Sequence, residues 1–344
     1  MSGDADEVLF ETRGRLGLIT LNRPKALNAL TLGMVRAMTR QLTAWAADDG
    51  IERIAITGAG GRAFCAGGDI RVLREAVLGG RAEDALTFWR EEYALNGIIR
   101  HYPKPYVALV DGIIMGGGVG VSVHGRFRVA GDGYVFAMPE VGIGFFPDVG
   151  ATYVLSRLPD HAGPWLVLTG SRIGPGRAAA LGLATHFVRS ADQAVLLRAM
   201  EGEGDTASLL AAYAGPPPAA QDGFDPDISA RCFVPDSIAA VLARLDAAAA
   251  AGSAFAGDCA AAMRSKSPLS LALACAQMRL GSALDFDAAM ALEFRIAGRM
   301  PGNPDFAEGI RAVLVDRDNA PRWSHPAAGA VTDAELAPWL GAAA

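Results

Sequence analysis

Two acidic residues stand out by their surroundings. Glu140 and Asp148 lie in FAMPEVGIGFFPDVG, from Phe136 to Gly150, a segment otherwise almost free of polar side chains. A carboxylate flanked by Phe, Met, Val, Ile and Pro is costly to bury unless it has a partner or a task. Desolvation raises its pKa toward the range useful for general acid and base work. Asp148 has a plainer alternative, as the N-cap of a helix running from Val149 to Leu158. For Glu140, which follows Pro139, the apolar setting favours a functional role over a cap. Two Gly-rich turns form the second feature: Ala66, Gly67 and Gly68 end a loop just before a helix, and Gly116 to Gly118 end a strand before another apolar stretch. Each can expose backbone N–H groups at a helix N-terminus. Two such donors aimed at one carbonyl oxygen make an oxyanion hole, and glycine suits the position because a side chain would block close approach. Either turn taken alone reads more readily as a mere tight turn.

Other patterns imitate chemistry without completing it. Gly58, Gly60 and Ala63 match GxGxxA after a strand, but FCAGGD intervenes where a dinucleotide-binding helix should begin, and no acidic residue ends a second strand about 20 residues on. GVSVH, from Gly120 to His124, fails the GxSxG pattern at its last position, so Ser122 is not expected to be a nucleophile and His124 is expected to be structural. The four cysteines, Cys65, Cys232, Cys259 and Cys275, have no CxxC pair and no histidines at ligand spacing. They signal neither a disulfide framework nor a zinc site, and a reducing cytoplasm suits them best. The N-terminal MSGDADEVLF has neither the basic-then-apolar order of a signal peptide nor the Arg-rich character of a transit peptide. A net charge of −6 gives no broad basic field for nucleic acid or anionic lipid, so a polyanionic ligand must be held locally. Apolar runs are broken by Gly and Pro before they reach membrane-spanning length.

The elements that must position these residues follow from pattern. The length of 344 residues suits a large domain with a smaller one appended, and Ala-rich stretches such as LDAAAAAG favour helix over strand. Val8 to Leu21 reads as a hairpin turning at Gly14. Thr31 can cap a helix carrying Met34, Met38, Leu42 and Trp45 on one face, and Arg53 to Thr57 is a strand. Helices are expected at Ile70 to Leu78 and Glu83 to Ile99, and strands at Pro105 to Val110, Phe127 to Ala130 and Tyr134 to Ala137. Short strand–helix turns thus run to about Val188. Pro216 to Pro218 mark a linker, beyond which Ser237 to Ala250, Pro268 to Leu280 and Leu284 to Arg299 read as helices. The Ala- and Gly-rich tail after Trp323 is expected to be partly loose.

Taken in order, NRPKALNAL (Asn22 to Leu30), FCAGGDI (Phe64 to Ile70), KPYVALVDGIIMGGGVGVSVHGRFRVA (Lys104 to Ala130) and FAMPEVGIGFFPDVGATYVLSRLP (Phe136 to Pro159) resemble the crotonase, or enoyl-CoA hydratase/isomerase, superfamily. TGSRI from Thr169, GLATHFV from Gly182, SPLSL from Ser267 and DFAEGIRAVLVDRD from Asp305 are similar to its 3-hydroxyisobutyryl-CoA hydrolase branch. The resemblance implies an α/β fold: a stacked ββα spiral core over residues 1–200, a C-terminal all-helical region over 201–325 that completes or covers the site, and a flexible tail over 326–344. It implies an oxyanion hole formed by the N–H groups of Gly68 and Gly117. It places CoA along Lys25, Ala26, Ala66, Asp69 and Ile70, and associates Glu92, Glu140 and Asp148 with substrate binding and catalysis. The adjoining Glu91 leaves the choice of Glu92 open. Hydratases of the superfamily carry a second catalytic glutamate where this sequence has Gly120, which turns the expectation toward thioester hydrolysis. The implied partner is an acyl-CoA, with no metal and no cofactor beyond the CoA of the substrate. A homo-oligomer is possible for such a chain. Competing readings are an enoyl-CoA hydratase or isomerase, and a non-catalytic acyl-CoA-binding protein.

Overall fold

A computed structural model of the chain describes residues 7–341. The hairpin forms as expected: β1 (Val8–Arg13) pairs antiparallel with β2 (Leu16–Leu21), and Gly14 turns between them at φ +55°. Thr31 Oγ1 accepts the N–H of Met34 and starts the helix Leu32–Ala46, which buries Met34, Met38, Leu42 and Trp45 along one stripe. β3 (Arg53–Gly58) then pairs parallel to β2, followed across the sheet by β5 (Tyr106–Val110), β7 (Phe127–Ala130) and β9 (His186–Phe187). One face of this sheet presents Leu16, Leu18, Ala55, Val107, Leu109 and Val129, packed with Leu196, Met200 and Leu210 of the following helices. Strands covered on both faces need apolar residues at every position, hence the fully buried YVALV of β5.

A second sheet escaped the pattern analysis in part. β4 (Ala63–Cys65), β6 (Ile113–Met115) and β8 (Val135–Ala137) form a three-stranded sheet in the order β4-β6-β8. Each strand has only three residues, too few to show a period. β7 and β8, although joined by a Gly-Asp-Gly turn, belong to different sheets. Each successive pair, β3/β4, β5/β6 and β7/β8, gives one strand to the large sheet and one to the small. This is the stacked ββα spiral that the resemblance implied.

The chain divides into two interleaved compact units rather than in sequence order: one runs up to Asp69 and includes Glu91–Phe136 and Ile173–Asp222, while the other holds Ile70–Arg90, Ala137–Arg172 and everything from Gly223 on. The Pro-rich stretch does precede a boundary, at Asp222. In the second unit the expected helices appear as Ile238–Ala250, Pro268–Gly281 and Phe286–Ala297, capped by Ser237, Ser267 and Asp285. The described part of the tail differs from the loose segment expected. Asp333–Leu340 is a helix with a Thr332–Glu335 capping box, buried Leu336 and Leu340, and a bond from Arg295 to Leu340 O. The last three residues lie outside the described range.

Candidate active site

The first unit holds the two Gly turns, and brings them together. Leu30 and Gly68 form a parallel bridge in which Leu30 N–H donates to Gly67 O and Asp69 N–H donates to Leu30 O, both at 2.9 Å. That pattern uses the groups flanking Gly68 and leaves its own N–H directed away from Leu30. Gly117 opens the helical turn Gly117–Gly120, where an N–H has no intrahelical partner. A side chain built on Gly117 would place its Cβ 3.2 Å from Gly68 N and 3.1 Å from Leu30 Cδ1, and would collide with Glu92 Oε1. The backbone nitrogens of the two turns are therefore neighbours, and the space a side chain at 117 would take is filled by Glu92. The loop ahead of Gly67 is locked by residues that sequence reasoning passed over. Asn28, fully buried, donates to Ala59 O and Ala63 O at 2.9 Å, and its own oxygen accepts the N–H of Arg23. NRPKALNAL contains the signal for this: an Asn at φ +58° after a turn.

Helix geometry sends Glu91 and Glu92 in different directions. Successive residues on Ala82–Arg100 point about 100° apart. Glu91 makes a bidentate pair with Arg36 near the surface, at 2.7 Å on both arms, whereas Glu92 is buried against Gly117. The expected CoA-contacting residues divide. Lys25 and Ala26 sit on an exposed 3-10 turn, Pro24–Ala26. Ala66 is half-buried and its N–H is already donated to Leu27 O, while the Asp69 carboxylate pairs with Arg23 at 3.0 Å. Ile70 opens the helix Ile70–Leu78. The decoys fall away: Gly58 leads into β4 rather than a helix, and Ser122 Oγ donates to Gly118 O at 2.8 Å. Burial pushes the Cys65 thiol up to about 12, away from the thiolate form.

The second unit carries the carboxylates. Glu140 begins the 3-10 turn Glu140–Ile143 and is 6% exposed. Its Oε2 finds no hydrogen-bond partner among the described residues. Burial, and then the nearby charge of Asp148, hold its pKa well above the usual carboxylate range. Asp148 is buried too, but it is not the cap of the next helix. That helix is Ala151–Leu155, and its N-cap is Gly150. The capping work falls to Glu293, which sequence reasoning missed because it reads as an ordinary polar position in ALEFRIAGR. Phe145, three residues before Asp148, stacks on Trp89 at 5.3 Å and meets Phe306 at 5.6 Å.

A profile of the enoyl-CoA hydratase/isomerase family matches residues 16–340. The chain belongs to that family. Among relatives, the mitochondrial 3-hydroxyisobutyryl-CoA hydrolase of Danio rerio is 44% identical over 92% of this chain and 85% of its own length. Its Homo sapiens counterpart, also named as mitochondrial, is 42% identical over 96% and 88%. Among solved structures, a carnitinyl-CoA dehydratase from Mycobacterium thermoresistibile superposes with a TM-score of 0.92 at 39% identity, covering 98% of this chain and 97% of that one. An enoyl-CoA hydratase from Rhodobacter sphaeroides 2.4.1 gives 0.88 at 41%, with 97% of both chains covered. Relatives in this family thus bear names for both hydrolysis and hydration. Gly120, where the resemblance places a hydratase's second glutamate, is buried in the Gly117–Gly120 turn and supplies no side chain. Among the described residues, no helix is long and apolar enough to cross a membrane.

Proposed function

We propose that this chain hydrolyses 3-hydroxyisobutyryl-CoA to 3-hydroxyisobutyrate and free CoA. The observation that carries the reading is the state of Glu140: a buried carboxylate with an unbonded oxygen and a raised pKa, in a chain whose Gly120 leaves it without the hydratase's second glutamate. The relatives named as 3-hydroxyisobutyryl-CoA hydrolases support the same choice of acyl group.

In this reading the N–H groups of Gly68 and Gly117 hold the thioester oxygen as negative charge develops on it, each donor contributing ~2.7–4 kcal/mol at the transition state. Glu140, once ionised, either takes a proton from an attacking water or attacks the carbonyl itself to give an anhydride that water opens. Either way the C–S bond breaks and the proton released from water ends on the departing thiolate. Asp148 accepts a hydrogen bond from the 3-hydroxyl and orients the acyl group. Glu92 backs the Gly117 turn on the substrate side. Lys25, Ala26, Ala66, Asp69 and Ile70 line the course of CoA; since the N–H groups of Ala66 and Asp69 are already donated, other groups of these residues make the contacts. The proposal needs no metal or cofactor beyond the CoA of the substrate, no nucleic acid and no membrane, and it allows a homo-oligomer. A cytoplasmic setting belongs to it, supported by four free and buried cysteines.

The hydration reading has support of its own in the dehydratase and hydratase names borne by structures of similar identity. Thiol release decides between them. Purified protein is assayed against a panel of CoA thioesters with a thiol reagent. Release from 3-hydroxyisobutyryl-CoA at a higher kcat/KM than from the rest is expected, and hydration of an enoyl-CoA without thiol release would overturn the proposal.

A further inference from the structure

Asp148 sits on a loop whose backbone is strained. Val149, buried and β-branched, is left-handed at φ +55°, and Gly150 follows at φ +86°. A branched residue holds that conformation only when its surroundings impose it. The surroundings here are two fully buried polar side chains from the C-terminal helices. Gly150 N–H donates to Glu293 Oε2 at 2.7 Å and Thr152 N–H to Oε1 at 2.9 Å, from a residue 143 positions away from Gly150. Gln277 Nε2 donates to Pro147 O and to Thr152 Oγ1, both at 2.8 Å. The backbone is thereby gripped immediately before Asp148 and two residues after it.

A serine or aspartate in the loop itself would cap a five-residue helix at far lower desolvation cost than a buried glutamate. The distant carboxylate does something a local cap cannot. It ties the loop's position to the helix Phe286–Ala297, as Gln277 ties it to Pro268–Gly281. Both oxygens of Glu293 are occupied by the loop, so it has none aimed at a substrate. Burial raises its pKa to about 8, with the two backbone donors and Thr152 opposing and the charge of Asp148 adding to the rise.

We infer that Glu293, together with Gln277, is a positioning residue for Asp148, and so sets the preference for a hydroxylated acyl group from outside the site. The inference rests on the role given to Asp148 above.

The test is a set of double-mutant cycles. The ratio of kcat/KM for 3-hydroxyisobutyryl-CoA to that for isobutyryl-CoA is measured in wild type, Glu293→Gln, Gln277→Met and Asp148→Ala, and in each of the first two combined with Asp148→Ala. An amide at position 293 keeps the shape but can accept only one of the two N–H bonds. Each single variant is expected to lower the ratio roughly tenfold, through the hydroxylated substrate, because a small misplacement of an orienting group is costly. In the Asp148→Ala background neither should change the ratio further. Equal losses on both substrates, or a further fall in the doubles, would overturn the positioning role and leave the hydrolase reading standing. A wild type that releases no thiol from any acyl-CoA overturns the hydrolase reading itself. Should Glu293→Gln fail to fold by circular dichroism, Gln277→Met, which leaves the buried carboxylate in place, carries the same comparison.

Discussion

Replacing Gly117 by Ala is a small change with a large expected effect. At the start of a helical turn such a substitution ordinarily stabilises by about 0.4–1 kcal/mol, because alanine loses less entropy on folding. Here the new Cβ collides with Glu92 Oε1 and lies 3.1 Å from Leu30 Cδ1 and 3.2 Å from Gly68 N. Glu92 is 2% exposed and belongs to the long helix Ala82–Arg100, so it has little room to retreat. The turn must then move away from Gly68, and the two donors no longer meet at one oxygen. Loss of one donor costs ~2.7–4 kcal/mol, a fall of about 10²–10³ in kcat. Gly117→Ala is thus expected to be nearly as damaging as Gly117→Pro, which removes the N–H outright. The assay is steady-state thiol release with 3-hydroxyisobutyryl-CoA, alongside calorimetric titration with CoA, whose affinity should change little. The Gly117→Ala/Glu92→Ala double variant should be no slower than Glu92→Ala alone, since the clash has gone. A folded Gly117→Ala protein with wild-type kcat would refute both the collision and the use of this donor.

Glu140→Gln should nearly abolish thiol release while CoA still binds, because an amide is neither a base nor a carboxylate nucleophile. In the wild type, log kcat/KM should rise with pH through a limb above the ordinary Glu range, since the pKa of Glu140 is raised by burial and Asp148 and its ionised form is the active one; a limb at the ordinary value would remove Glu140 from that role. Asp148→Ala should shrink the preference for 3-hydroxyisobutyryl-CoA over isobutyryl-CoA by roughly ten- to a hundredfold, the worth of ~1.5–3 kcal/mol for a buried bond to a charged partner; equal losses on both thioesters would make Asp148 a general catalytic group. Glu293, raised from 4.5 to about 8, keeps in the fold a proton that the unfolded chain has released. Its contribution is therefore full below 4.5 and is lost as pH rises through about 8. Urea unfolding on either side of that window should show wild type losing more stability than Glu293→Gln, and parallel curves would count against a buried protonated Glu293.

Much of the architecture was legible because its signals are local. Thr31 with its apolar stripe, Ser237, Ser267 before Pro268, and the Gly14 hairpin each act within a few residues of themselves, so their elements stand close to where pattern put them. The three-residue strands of the small sheet were partly invisible for the opposite reason: they exist only through neighbours contributed by other turns of the spiral. The plainer alternative for Asp148, as N-cap of a helix from Val149 to Leu158, drew on a purely local signal, and nothing near the loop indicates that a glutamate from a distant helix takes the N–H groups of Gly150 and Thr152.

By itself the sequence determined the types of chemistry available: backbone donors freed by glycine, a carboxylate in an apolar segment, and a missing side chain at Gly120. These are properties of residues and their immediate neighbours, carried wherever the chain goes. Only the tertiary structure decided that Gly68 lies beside Gly117, that Glu92 rather than Glu91 faces inward, and that Glu293 and Gln277 hold the loop of Asp148. Each of those is a distance between residues far apart in sequence, and such distances are set by the path and packing of the whole chain, to which helical or strand periodicity is blind.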